Sequence, residues 1–419
     1  MATSLSSIGI SSRGETEHAG TLGEHQAESS YFVPHRARPR ASERILTNAV
    51  VVTRETLFAG TVVVRAGRIA AIDTGRSRLA AAEDLDGDLL LPGLVELHTD
   101  HLERHLMPRP GVLWPCPLAA MAAHDAQMVA GGVTTVFNAI AVGDHRGVGG
   151  DRRALLAHAM EAVRTARAEG LARADHHVHL RCEVGDPDVL ALFDAHAGDP
   201  AVRLVSLMDH TPGQRQWGDL SVYRGMLAGE GGGADADAVI RARCAAQARH
   251  AAAHRHALAA RCRALGLPLA SHDDATPAHV AEAVRDGAAI AEFPTTRAAA
   301  EAARAAGLAV IMGAPNLVRG GSHSGNVPAA ELAAAGLVDV LSSDYVPASL
   351  LPAAFLLNER LGVPLPAAVA AVSAVPAALL GLGDRGAIAP GRRADLLRVR
   401  RVRGRPLVRS VWCAGTRML

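Results

Sequence analysis

The sequence contains no lysine: its 43 basic residues are all arginine. This absence excludes a Schiff-base amine, a Walker-type phosphate loop with its lysine, and a carbamylated lysine that bridges two metal ions. Arginine presents a planar, permanently charged donor group that suits phosphate and carboxylate. The chain is therefore equipped to bind anions but not to use an amine in catalysis.

The sequence also has few cysteines, no long apolar runs and almost no net charge. The five cysteines (Cys116, Cys182, Cys244, Cys262 and Cys413) are odd in number and lack C-x-x-C spacing, which favours free thiols and predicts a cytoplasmic protein. No apolar run approaches the roughly 18 residues of a membrane span, and the N-terminus lacks the apolar core of a secretory signal. The formal net charge is +1, so we expect neither nucleic acid nor a membrane as a partner.

Composition divides the chain into three parts. Residues 1–43 are rich in Ser, Gly, Glu, His and Arg without a period, which predicts a disordered extension. Residues 44–91 and 386–419 contain short alternating strands joined by Gly and Asn turns, and we expect them to pair in one small flanking β-domain. Residues 92–385 alternate short apolar strands with Ala-rich helical stretches.

The middle segment predicts eight strands. They end near His98, Asn138, Glu183, Met208, His272, Phe293, Met312 and Ser343. Helical stretches that close at a Gly lie between them. Eight βα units over roughly 290 residues predict an α/β fold, a (β/α)8 TIM barrel. A doubly wound open sheet is the alternative, but no Gly-rich phosphate fingerprint follows the first strand.

Polar residues lie at the ends of five of these strands, where such barrels place their catalytic side chains. In LLLPGLVELHTDHLERHLMPRPG, His98 and Asp100 are two apart and can hold one ion from one side. The predicted metal ligands are three imidazoles and three carboxylates: His98, Asp100, Glu183, His210, His272 and Asp344. This set suits zinc, or manganese or iron, and is large enough for two ions bridged by Glu183.

A metal set of this kind predicts a hydrolase. With two divalent ions present, a bridging water loses a proton near neutral pH and becomes the nucleophile. Asp344 can ligate one ion and accept that proton, so it is the candidate general base. His101 and His105, four residues apart, are candidates for lining or supporting the site.

Three loops after predicted strands carry arginines and favour a phosphorylated, multiply anionic substrate. Arg109 lies between two prolines after the first strand, and Arg215 follows the fourth. A donor-rich loop after the seventh strand is suited to phosphate oxygens and supplies Arg319, Ser322, His323, Ser324 and Asn326.

Several motifs carry a family likeness: PGLVELH, GVTTV and IAPGRRADL, with the later histidines and the strand-eight aspartate, extend from about Arg44 to the C-terminus. They resemble the amidohydrolase superfamily. Longer stretches, ELHTDHLERHLMPRPGVLWP, HLRCEV, LMDHTPGQRQ, MGAPNLVRGGSHSGN and SSDYVPASLL, are similar to the PhnM-like family of the carbon–phosphorus lyase pathway. This resemblance implies hydrolysis of α-D-ribose 1-methylphosphonate 5-triphosphate to the 5-phosphate and pyrophosphate, by attack on the α-phosphorus. It also implies that metals and arginines hold the triphosphate.

Two features depart from the usual superfamily pattern. Asp100 stands at the second position of the strand-one H-x-H motif, so His101 stays open as the second ligand. The later histidines usually lie on strands five and six, whereas His210 and His272 are predicted on strands four and five. A Glu bridge such as Glu183 is an accepted superfamily variant, so the missing lysine is no obstacle.

Two other functions are alternatives. An amide or cyclic-amide hydrolase, such as a deacetylase of a phosphorylated sugar or a dihydroorotase-like enzyme, would use the same metals and base but needs fewer arginines. A non-catalytic scaffold would be expected to lose metal ligands, whereas the full set is present. For the main hypothesis we expect a homo-oligomer that acts on a phosphorylated ribose methylphosphonate.

Overall fold

The computed structural model describes residues 43–144, 151–229, 235–322 and 324–419. The predicted disordered extension lies outside these residues, apart from Glu43, which forms an ion pair with Arg65. Within the described residues, the strands are β1 Arg44–Val52, β2 Leu57–Arg65, β3 Arg68–Thr74, β4 Glu83–Asp84, β5 Leu89–Pro92, β6 Leu94–Thr99, β7 Val133–Val142, β8 Asp175–Glu183, β9 Val202–Met208, β10 Leu269–His272, β11 Ile290–Glu292, β12 Ala309–Gly313, β13 Val340–Ser342, β14 Leu396–Val402, β15 Arg405–Cys413 and β16 Thr416–Arg417.

The helices of the described part all lie between β6 and β14 in the sequence. None of them has both the length and the apolar character that crossing a membrane requires. They are α1 His101–Leu106, α2 Pro117–Ala130, α3 Asp151–Ala168, α4 Val189–His196, α5 Leu220–Gly229, α6 Ala236–Leu265, α7 Pro277–Asp286, α8 Arg297–Ala305, α9 Ala314–Arg319, α10 Ala329–Ala334, α11 Leu350–Leu361, α12 Leu365–Ala370 and α13 Ala374–Leu379. Short 3₁₀ helices span Arg215–Trp217 and Pro347–Ser349.

Both ends of the described chain form one mixed sheet beside the barrel, in the order β16-β15-β14-β5-β1-β2-β3, with β4 next to β1. Most pairs are antiparallel, while β4 and β5 run parallel to β1. Leu46, Leu90 and Trp412 are buried together in its apolar core. The expected pairing of the two chain ends is confirmed. The residue borders of the domains stay a prediction, and β5 extends to Pro92, just beyond the predicted border.

Eight parallel strands, β6 to β13, form the barrel in sequence order. Every residue of β6 and β7 is buried, as expected for parallel strands covered on both faces. The first and last strands meet at the carboxyl-terminal rim. There the Asp344 N–H donates to the His98 carbonyl at 3.0 Å, and the Asp100 N–H donates to the Asp344 carbonyl at 3.2 Å. The predicted TIM barrel is confirmed, and the open-sheet alternative is excluded.

A buried carboxylate supports this meeting of first and last strands. Glu96 on β6 is fully buried, and its Oε2 accepts the Ser343 N–H at 2.6 Å. Its Oε1 accepts the His98 N–H at 2.7 Å. Burial raises the pKa of Glu96, and the hydrogen bonds from Ser342 and Ser343 oppose that rise. Hydrogen bonds to this buried carboxylate therefore stabilise the rim that carries the predicted site residues.

Candidate functional site

Three histidines at the barrel mouth are each oriented by a buried carboxylate. His98 Nδ1 lies 3.1 Å from Glu292 Oε1, and His272 Nδ1 lies 3.3 Å from Glu292 Oε2. One carboxylate at the end of β11 therefore holds two rings. His210 Nδ1 lies 2.8 Å from Glu183 Oε2. A carboxylate at Nδ1 fixes the tautomer with its proton there and leaves a lone pair on Nε2.

The three rings lie close enough to share bound cations. The ring centroids of His98 and His272 are 5.4 Å apart, and those of His210 and His272 are 5.6 Å apart. His98 Nε2 is buried and has no hydrogen-bond partner among the described residues. Burial lowers the pKa of both His98 and His272 well below the usual range. Both rings are therefore neutral near pH 7, the form that binds a metal ion.

Two aspartates at the barrel rim line the same cavity, whose volume is about 340 Å³. Asp344 follows β13 and Asp100 follows β6. Asp344 has φ 50°, a left-handed conformation that non-glycine residues adopt rarely and that is found at functional sites. Burial, and then the nearby charge of Asp100, raise the pKa of Asp344 well above its usual range. A bound cation would relieve both effects, so the donor set fits a divalent metal.

Asp273 is a member of the site that the sequence did not single out. Its Oδ2 lies 3.4 Å from His272 Nε2 and 3.7 Å from His210 Nε2, so it stands between the two nitrogens that face the cavity. Burial raises its pKa to about 6, although the His210 charge opposes that rise. Together, the three side chains could hold an ion. The feature of the sequence that could have identified Asp273 is its position directly after His272 in ASHDD.

Glu183 contributes to the site from behind. Besides its contact with the His210 ring, its Oε1 accepts the His210 backbone N–H at 3.1 Å, and it does not line the cavity. These are the contacts of a group that orients a ligand. The bridge between two ions predicted for Glu183 stays a prediction. Glu292, the matching group for His98 and His272, was missed, and its only sequence signal was its place at the end of the strand in AAIAEF.

Two arginines line the cavity, and neither was predicted. Arg181 lies on β8, two residues before Glu183, and its Nε is buried without a hydrogen-bond partner among the described residues. Arg104 lies on α1, with its guanidinium carbon 5.5 Å from the ring centroid of Tyr345. Both are placed to contact an anion bound next to the histidines.

The three predicted arginines lie elsewhere. Arg215 is buried in ion pairs with Asp274 and, at 3.1 Å, with Glu282. These partners occupy both terminal nitrogens of its guanidinium, and Arg215 does not line the cavity. Arg109 and Arg319 are exposed and do not line the cavity.

The loop after β12 does reach the cavity through Ser322, Ser324 and Asn326, as predicted. Asn316 at the start of this segment and Gln216 after β9 add amide groups to the lining. His323 lies outside the described residues. The donor-rich character expected of this loop is therefore present at the cavity without its arginine.

His101 and His105 do not line the cavity. His101 Nδ1 instead lies 3.4 Å from Nδ1 of His124 on α2. Of the two alternatives after His98, Asp100 is thus the one at the cavity. The alternation of a regular strand does not apply here, because Asp100 is already the first residue before α1.

No family model matches the chain. A relative named alpha-D-ribose 1-methylphosphonate 5-triphosphate diphosphatase, from Escherichia coli (strain K12), is 47% identical over 378 residues, which cover 89% of this chain and 100% of the relative. Among solved structures, N-acetyl-D-glucosamine-6-phosphate deacetylase from Mycobacterium smegmatis has a TM-score of 0.59 at 19% identity and covers 90% of this chain and 100% of its own. Dihydropyrimidinase from Brevibacillus agri has a TM-score of 0.58 at 14% identity, with 90% and 95% covered.

These solved structures are each under 25% identical to this chain and support the fold alone. The relative from Escherichia coli is matched along its whole length and at an identity that establishes common descent. The chain therefore belongs to the same family as that diphosphatase.

Proposed function

We propose that this protein is a metal-dependent hydrolase that cleaves α-D-ribose 1-methylphosphonate 5-triphosphate to the 5-phosphate and pyrophosphate, in phosphonate catabolism. The observation that carries the proposal is the 47% identity to the diphosphatase over 100% of its length. The cavity supports it chemically, because it combines neutral imidazoles and carboxylates with arginines and amide donors.

The proposed metal site holds two divalent ions, zinc in the first place and manganese or iron as alternatives. Its ligands are the members of the predicted set that line the cavity, with Asp273 added: His98, Asp100, His210, His272, Asp273 and Asp344. Glu183, the remaining member of the predicted set, orients His210 from behind. Each lone pair on His98 and His210 Nε2 is fixed by a carboxylate at Nδ1. A divalent cation bound there polarises a phosphoryl oxygen and makes a water molecule more acidic.

Charge balance favours two ions. Among the described residues that line the cavity are three aspartates and two arginines, so its side chains are net negative when all are ionised. A triphosphate adds several further negative charges in a partly buried space, where unbalanced charge is costly. Two divalent ions reverse the sign of the cavity and leave the arginines free for the substrate.

Asp344 is the proposed general base. Its backbone is fixed on both sides, since its N–H donates to the His98 carbonyl and its carbonyl accepts from Asp100. The carboxylate at the cavity can therefore take a proton from the attacking water without a change of backbone. Arg181 and Arg104 bind phosphate oxygens, and Ser322, Ser324 and Asn326 add hydrogen bonds to the same group. This assigns the substrate role to residues that line the cavity rather than to the exposed Arg109 and Arg319 or the paired Arg215.

We also propose a cytoplasmic homo-oligomer. Its five cysteines are unpaired, and Cys182, Cys262 and Cys413 are buried thiols, which suits a reducing compartment. Light scattering on the purified full chain measures the oligomeric state, and the mass of a single chain would contradict this part of the proposal.

The decisive experiment follows the phosphorus products. Metal-loaded protein is incubated with the ribose methylphosphonate triphosphate in ¹⁸O-labelled water, and the products are separated and their masses measured by mass spectrometry. We expect equal amounts of pyrophosphate and 5-phosphate, with the label in the 5-phosphate, because attack falls on the α-phosphorus. Label in pyrophosphate would move the attack to the β-phosphorus and contradict the mechanism.

Two controls separate the alternatives. If only orthophosphate or no phosphate product appears, while N-acetylglucosamine 6-phosphate or dihydroorotate is cleaved, the amide-hydrolase function would replace the proposal. Less than one ion per chain after metal supplementation would favour the non-catalytic scaffold.

A further inference from the structure

A second histidine cluster lies outside the cavity, between α1 and α2. His101 and His105 are one helical turn apart on α1, and His124 faces them from α2. Their ring centroids are 4.9, 5.7 and 6.0 Å apart. One ring nitrogen from each residue lies within 4.8 Å of the other two. His101 and His124 are buried, and His105 is half-buried.

The spacing matches that of three imidazoles on one ion. Two nitrogens that are each about 2.05 Å from a tetrahedral zinc ion are about 3.3 Å apart, and their ring centroids are about 5 Å apart. The Nδ1 atoms of His101 and His124 are 3.4 Å apart. Gln127 hydrogen-bonds to the His105 ring, while His105 Nε2 is buried and has no hydrogen bond within the described chain.

A hydrogen-bond chain determines which nitrogen of His124 carries the lone pair. The amide of Asn138 donates to the His177 carbonyl at 2.8 Å, and a carbonyl can only accept. Asn138 Oδ1 must therefore face His124, whose Nε2 donates to it at 2.9 Å. In the neutral ring this leaves the lone pair on Nδ1, the atom next to His101.

The same chain continues to a carboxylate. Asn138 Nδ2 also donates to His176 Nδ1 at 3.2 Å, and His176 Nε2 donates to Asp125 Oδ1 at 3.2 Å. Histidines that bind metals have outer partners of this kind, which fix the tautomer and the ring orientation. A fixed lone pair that faces two further imidazoles is the donor arrangement that first-row divalent ions prefer.

We propose that His101, His105 and His124 form a second metal site, which binds one first-row divalent ion such as zinc. The ion links α1 to α2. Because α1 is a single six-residue helix that also carries Arg104 into the cavity, the ion holds this arginine in position. This site shares no side chain with the metal site proposed at the barrel mouth, so metal binding at the two sites can be measured separately.

The test counts ions per chain. Metal-stripped full-length protein is loaded with Zn²⁺, freed of excess ion by gel filtration and analysed by atomic emission. His105→Gln is the main variant, because His105 is the least buried of the three, and the exposed His256→Gln is its matched control. We expect His105→Gln to lose one ion per chain relative to the wild type and to His256→Gln. Equal counts in all three proteins would overturn the proposal.

Two further measurements distinguish the ion at this cluster from ions at the barrel mouth. A His98→Gln, His272→Gln double variant should lose ions at the barrel mouth and keep the ion at the second cluster, so a failure of either site is seen separately. In wild-type protein labelled with ¹⁵N-histidine and loaded with ¹¹³Cd, one cadmium resonance beyond those lost in the double variant should couple to three ring nitrogens. If the double variant binds no ion and shows no such resonance, the cluster is only a hydrogen-bonded contact between α1 and α2.

Discussion

Replacing Glu292 by glutamine tests whether one buried carboxylate orients two metal ligands. Glu292 is fully buried and contacts Nδ1 of both His98 and His272. Glutamine has nearly the same shape but offers one acceptor and one donor. The ring opposite the new NH₂ group must move its proton to Nε2, which removes the lone pair that faces the cavity. Outer partners of this kind are worth about 10–100-fold in metal affinity, or about 1.4–2.7 kcal/mol.

The assay is competition with a chelator of known affinity, followed by pyrophosphate release over a range of metal concentrations. We expect Glu292→Gln to bind zinc about 10–100-fold more weakly and to regain most of its turnover at high metal. Glu282→Gln is the matched control, since Glu282 pairs with Arg215 away from the cavity and its side chain is 37% exposed. Unchanged metal affinity in Glu292→Gln, or an equal loss in both variants, would refute the orienting role.

Three further predictions concern the base, a buried acid and the anion-binding arginines. Asp344→Asn should keep its metal content and lose turnover by about 10²–10⁴-fold, because it removes the proton acceptor; a rate near that of the wild type would exclude Asp344 as the base. In metal-free protein, burial raises the pKa of Asp273 to about 6, above its unfolded value, so its ionisation destabilises the fold as pH rises from about 4 to 6 and above. Asp273→Asn should therefore stabilise metal-free protein at pH 7.5 by at most about 3 kcal/mol, with little gain at pH 4, as measured by urea unfolding. Arg181→Gln should raise KM for the triphosphate by roughly tenfold to a hundredfold, whereas Arg319→Gln at an exposed position should change it little; equal effects would remove Arg181 from substrate binding.

The barrel could be predicted from sequence because of how its strands are buried. Parallel strands covered on both faces give short apolar runs, and five of the eight runs here end at or near the polar residues that we singled out. That pattern located His98, His210, His272 and Asp344, all of which line one cavity. Their positions depend on where strands end, which the sequence indicates directly.

The remaining site residues depend on the direction in which each side chain points, which the spacing of residues in the sequence does not give. Glu292 was missed because it binds rings from two other strands, and no local pattern reports such a contact. Arg109 and Arg319 lie in loops at the predicted rim but are exposed, whereas Arg104 reaches the cavity because α1 begins directly after Asp100. Loop composition predicted anion binding, which stays a prediction, and the arginines that line the cavity are not the ones that it singled out.

The hydrogen bonds that join Asp344 to His98 and Asp100 have a consequence for how the protein matures. These residues follow the first and last strands of the barrel, so the proposed metal-binding group is incomplete until the last strand has been synthesised and docked. Ions that bind only the joined state must stabilise it, and loading should slow amide hydrogen exchange at Asp100 and Asp344. A nascent or nicked chain in which the first and last strands are not joined would bind metal poorly. Full metal occupancy would therefore report that the barrel has closed.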